Sequence, residues 1–160
     1  MSWPDRRFVL LAPLALAACG FEPVYGPGGT GRLLQNNVLV DAPGTQNAYL
    51  LTRELEERLG RATAPTYALS LDIRTFERPL AIDRAGNTGR FQMQGHVSYT
   101  LRRGDTGQII TSGQVENFAG YSATGTTVAT LAGEDDARER LMNMLAEQIA
   151  TRLYAAELPA

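Results

Sequence analysis

The chain has 160 residues, 44% apolar and 20% charged, with a net charge of −2, one cysteine and one histidine. That length suits one domain with its own core, and the balance of 15 basic against 17 acidic residues lacks the concentrated positive charge that a nucleic-acid partner calls for. A lone cysteine excludes an intramolecular disulfide, and a lone histidine excludes a two-His metal site and leaves no spare base for a nucleophile.

The N-terminus carries Arg6 and Arg7, then an apolar run from Phe8 to Ala18, then Leu16-Ala17-Ala18-Cys19-Gly20. A run of about 11 residues is too short to span a bilayer, which takes roughly 20, but has the form of a secretion signal. Small residues before a cysteine fit a signal-peptidase cleft, so residues 1–18 read as a signal peptide and Cys19 as the lipidated first residue of the mature chain. Asp5 stands where a twin-arginine signal prefers Ser or Thr, which favours the general secretion route. The expected modification is a thioether-linked diacylglycerol with an N-acyl chain on Cys19; no other cofactor is expected. More than one acyl chain makes a stable anchor. Gly20, in place of the Asp that retains lipoproteins in an inner membrane, favours the inner leaflet of the outer membrane, on the periplasmic side. Losing residues 1–18 removes Arg6, Arg7 and Asp5 and leaves 13 arginines against 16 acids.

Residues 19–31 contain Pro23, Gly26, Pro27, Gly28 and Gly29 and read as an extended tether. Its glycines lack the Lys-Ser/Thr ending of a phosphate loop. A single domain is expected over residues 32–160. Leu33–Val40 is a first short strand, bounded by Asp41-Ala42-Pro43-Gly44. Ala48, Leu51, Leu55 and Leu59 then recur at helical spacing up to Gly60, with Arg53, Glu54, Glu56, Glu57 and Arg58 on the other faces. Tyr67, Leu69, Leu71 and Ile73 alternate with Ala68, Ser70, Asp72 and Arg74 in a second strand.

A polar loop is expected from Pro79 to Gly89. Phe91, Met93, Gly95, Val97, Tyr99 and Leu101 then alternate cleanly with polar residues, and the turn Gly104-Asp105-Thr106-Gly107 leads into a strand over Gln108–Phe118, making an antiparallel hairpin. The uncharged segment Ala119–Gly133 reads either as a flexible approach to the last helix or as a contact with another protein. That helix is expected from Glu134-Asp135-Asp136, acids suited to the positive end of its dipole, with Ala137, Leu141, Leu145, Ile149 and Leu153 as its buried stripe. The β-α-β-β-β-α order predicts an α+β two-layer sandwich: a four-stranded sheet with two amphipathic helices packed on one face. The pattern leaves the strand order open.

No residues with catalytic chemistry stand out. His96 falls on the polar face of the best strand, where exposure needs no further explanation. All 15 basic residues are arginine, as a GC-rich genome would produce. Arg74, Arg84, Arg102 and Arg103 lie on or beside strands, and antiparallel pairing of the second and third strands brings Arg78 near Arg90. Two guanidinium groups there could hold phosphate oxygens with bidentate geometry; the competing reading is a solvated rim paired with Glu77, Asp83 or Asp105.

Cys19-Gly20-Phe21-Glu22-Pro23-Val24-Tyr25-Gly26 resembles the Cys-Gly-Phe-x-Pro-Leu-Tyr-Gly opening of the LPS-assembly lipoprotein (LptE) family, with Val24 a conservative replacement. Leu145–Leu153 is similar to that family's C-terminal helix, and the element order agrees. The resemblance implies a non-enzymatic subunit of the outer-membrane lipopolysaccharide translocon, one that plugs a large β-barrel partner, LptD, assists its assembly and binds lipopolysaccharide. Arg78 and Arg90 are the candidate lipopolysaccharide-binding residues, chosen by expected strand geometry. The alternative is a periplasmic activator lipoprotein docking on a cell-wall synthase, for which a longer tether is expected.

Overall fold

A computed structural model of the chain describes residue 26, residues 29–82 and residues 88–158. The signal peptide, Cys19, nearly all of the tether, Asp83 and Arg84 therefore lie outside the described residues. The elements run α1 (Thr30–Leu34), β1 (Val38–Val40), α2 (Gln46–Leu59), β2 (Tyr67–Ile82), β3 (Thr88–Arg103), β4 (Ile109–Ser122) and α3 (Thr127–Tyr154). The sheet has the order β1-β2-β3-β4, β1 pairing parallel to β2 and the other neighbours antiparallel. This is the expected α+β sandwich, with a third, one-and-a-half-turn helix added at the start.

That extra helix corrects the reading of Gly20–Gly31 as wholly irregular: α1 begins at Thr30, inside the segment, and takes Leu33 and Leu34 from the expected first strand. Leu34 is fully buried, and the Thr30 hydroxyl donates to the Ala156 carbonyl at 3.4 Å. A buried leucine and a contact with the far end of the chain outweigh weak local propensity here. α2 keeps its expected limits. The Thr45 hydroxyl caps its first turn by accepting from the Ala48 amide, and Gly60 ends it at φ +78°.

β2 and β3 run further than their alternation suggested, and the strand signal at Pro79–Ile82 was hidden by Pro79. Proline is tolerated there because this part of β2 is a sheet edge, and a register shift follows it. β4 likewise continues to Ser122, burying Ala119 and Tyr121, and α3 starts at Thr127 rather than Glu134. The uncharged segment Ala119–Gly133 is thus mostly strand and helix rather than a flexible approach. Glu134, Asp135 and Asp136 sit beyond the first turn and pair with Arg138 and Arg140 one turn on.

The core lies between one face of the sheet and the two long helices. Leu51, Leu55 and Leu59 of α2, Leu141, Leu145, Ile149 and Leu153 of α3, and Leu69, Val97 and Leu101 of the sheet are essentially inaccessible. Each such side chain contributes about 2 kcal/mol by leaving water. Gly95 sets how closely α3 can approach: a Cβ there would lie 2.8 Å from the Leu145 Cδ1 atom and 3.2 Å from the Leu141 Cδ2 atom. None of the described helices is long and apolar enough to cross a membrane.

Candidate functional site

Both long helices cover the same face, so the even-numbered residues of β2, β3 and β4 project from an uncovered one. Cross-strand register turns them into rows. Arg74 stands opposite His96, and His96 opposite Glu116; Asp72 stands opposite Ser98, and Ser98 opposite Gln114. The His96 Nδ1 atom lies 3.3 Å from a Glu116 carboxylate oxygen, its ring meets Phe76 edge-on at 5.9 Å, and Arg74 pairs with Asp72 at 3.1 Å. These groups floor a concave surface of about 780 Å³, bordered at the β4 edge by Arg152. His96 is a partly exposed residue on the polar face of β3, with a carboxylate beside it.

Arg78 and Arg90 lie on this face, within strands rather than at their ends. Arg78 pairs with Gln92, while Arg90 pairs with Ala81 on one side and Ser122 on the other. They are therefore diagonal neighbours on adjacent strands, with the register shift after Pro79 beside them, and both are exposed. Of the acids that could pair with them, Asp83 lies outside the described residues and the other two make contacts of their own. Glu77 accepts from the Tyr121 hydroxyl, and Asp105 accepts the Thr106 amide in the β3–β4 turn. With Arg74 and Arg102, the face carries arginines along much of its length.

Sequence patterning missed two polar clusters. Glu54, expected off the apolar stripe of its helix, is 7% exposed between α2 and α3. Its carboxylate accepts from Arg53 at 3.0 Å, Arg58 at 3.1 Å and Asn143 of α3 at 2.8 Å. Burial alone pushes its pKa up, but the arginine hydrogen bonds and charges outweigh this and hold it below the usual carboxylate value. The i,i+4 spacing of Leu50, Glu54 and Arg58 was the available signal. The second cluster is Tyr121, stacked on Phe91 at 5.5 Å, with its ionisation pushed up by burial and by the Glu77 carboxylate. The Glu54 cluster lines a hollow of about 530 Å³ with Glu139, Arg140 and Phe118, its carboxylate held by Arg53, Arg58 and Asn143, and both clusters fasten elements together.

A lipoprotein from Caulobacter crescentus CB15 shares this fold at a TM-score of 0.66 and 19% identity, over 79% of this chain and 93% of that one. Lipoprotein B from Nitrosomonas europaea superposes at 0.61 with 16% identity, over 85% and 91%. Rare lipoprotein B from Shewanella oneidensis superposes at 0.57 with 12% identity, over 74% and 92%. No curated protein matches the chain in sequence. The family model described as LptE, lipopolysaccharide-assembly, matches residues 36–153, from the start of β1 almost to the end of α3. With most of the chain and all four strands inside that match, the protein belongs to the LptE family of lipopolysaccharide-assembly proteins.

Proposed function

We propose that the protein is a non-enzymatic lipoprotein subunit of the outer-membrane lipopolysaccharide translocon, which plugs and helps assemble an LptD-like β-barrel and binds lipopolysaccharide. The observation that carries this reading is the uncovered sheet face. A lumen lined with polar side chains is a suitable environment for a polar face, whereas a domain acting alone gains nothing from leaving Phe76 and Phe118 more than half exposed. The Cys19 lipid would anchor the domain to the inner leaflet of the outer membrane.

The long axis of the sheet supports the same arrangement. α1, where the anchored segment joins, lies beside Ala156 at one end, near the start of β2. Arg78 is eleven residues further along β2, about 36 Å at 3.3 Å per residue, which is comparable to the roughly 30 Å hydrocarbon core of a bilayer. A domain anchored at one end and enclosed by a barrel would place Arg78 and Arg90 far across the membrane, where they can engage the lipid A phosphates in bidentate fashion.

Titrating lipopolysaccharide onto wild-type protein and onto the Arg78→Glu, Arg90→Glu double variant tests the binding half. Reversing both charges should weaken binding at least about ten-fold, roughly 1.4 kcal/mol. Unchanged affinity would assign both arginines to a solvated rim.

A further inference from the structure

Gln94 stands opposite Phe76 on one side and Phe118 on the other. Two aromatic side chains, each more than half exposed, therefore lie in one row across β2, β3 and β4 on the uncovered face. They are two inter-strand spacings apart, roughly 9–10 Å, which is about the separation of a pyranose ring from the next but one in an extended sugar chain. The C–H face of such a ring stacks on an aromatic side chain and leaves its hydroxyls pointing sideways. The neighbouring rows supply partners for those hydroxyls: first Arg74, His96 and Glu116, then Asp72, Ser98 and Gln114. All six line the same concave surface as Phe76, and all but Ser98 are planar groups, several of them offering paired donors or acceptors to vicinal hydroxyls. Charge is balanced within these rows, Arg74 against Asp72 and His96 beside Glu116. Beyond the phenylalanine row the face changes character, carrying the exposed Arg78 and Arg90.

We propose that the uncovered face is a saccharide-binding site, with Phe76 and Phe118 as its stacking platforms, and that its occupant is the sugar chain of lipopolysaccharide; the choice of source rests on the translocon reading above. The charge pattern along the face favours this occupant. A glycolipid with phosphates at one end of its sugar chain matches a surface that is cationic at one end and neutral, hydrogen-bonding and aromatic beyond it. A uniform polyanion would instead run onto the carboxylates of Asp72 and Glu116. Arg78 and Arg90 then take the phosphates, and the phenylalanine row is the first place where the sugar chain itself is held.

Titration calorimetry of the full-length protein in detergent tests this, using the sugar chain released from lipopolysaccharide by mild acid and freed of lipid A. The wild type should bind it, and Phe76→Ala and Phe118→Ala should each weaken binding about ten-fold. Phe76→Trp and Phe118→Trp keep a ring at each position and should retain the affinity. Val128→Ala removes an exposed apolar side chain of α3, off this face, and should change nothing. These side chains are all exposed, so circular dichroism should show every variant folded. A wild type that does not bind the released sugar, an affinity indifferent to both rings, or an equal loss from Val128→Ala would each overturn the proposal. So would tighter binding of an N-acetylglucosamine oligomer, which would assign the face to a cell-wall type of glycan. The released sugar lacks the lipid A phosphates, so its failure to bind while whole lipopolysaccharide still binds would sink this inference and leave the proposed function standing.

Discussion

Glu54 is a charged residue placed where helices usually put leucine, and its three donors explain how it can stay there. A buried carboxylate without hydrogen bonds costs several kcal/mol, yet Arg53, Arg58 and Asn143 satisfy it while tying α2 to α3. Glu54→Ala should lower stability by about 2 kcal/mol, because it strands partly buried donors; equilibrium urea unfolding measures this. Since the folded-state pKa is lowered, the carboxylate's contribution is fully present above the unfolded value of about 4.3. It is lost as pH falls from there through the folded pKa. Glu54→Gln should therefore flatten the acid limb of the stability profile, and an unchanged limb would show that other carboxylates control it. The sequence did not reveal this residue because one polar side chain hardly alters a stripe of leucines.

At the scale of elements, close packing of α3 on β3 depends on Gly95. Adding a methyl group there collides with Leu141 and Leu145, which are themselves fully buried, so Gly95→Ala should cost about 1–3 kcal/mol. Thermal unfolding checks it, and an unaltered midpoint would mean that the helix can slide away freely. The alternation of Phe91 to Leu101 made β3 legible, and the five-residue stripe from Ala137 to Leu153 did the same for α3. What could not be read were ends set by tertiary contact. β4 is extended by the burial of Ala119 and Tyr121. α3 is extended by the Thr126 cap, whose hydroxyl accepts from Ala129, and by close passage of Gly133 over Tyr121. Small, uncharged residues look like loop until the surface they pack on is known. Arg78 and Arg90 were placed on neighbouring strands by the hairpin pattern, but only the register showed them to be diagonal rather than opposite.

In the whole molecule, the proposed anchor would join the fold at α1, at the end of the long sheet opposite Arg78 and Arg90. Cys19→Ser should abolish lipidation and release the protein from the membrane while leaving its melting temperature unchanged, because the buried core from Leu34 to Leu153 lies downstream of Cys19. Intact-mass analysis and membrane fractionation read both effects, and acylation persisting in the variant would refute the lipobox assignment. Whether this domain works inside a barrel is read by affinity purification of C-terminally tagged protein from detergent-solubilised outer membranes, with mass spectrometry of what stays bound. A large β-barrel protein recovered in stoichiometric amount is the predicted result; the tagged chain recovered alone, or with a cell-wall synthase, would contradict it.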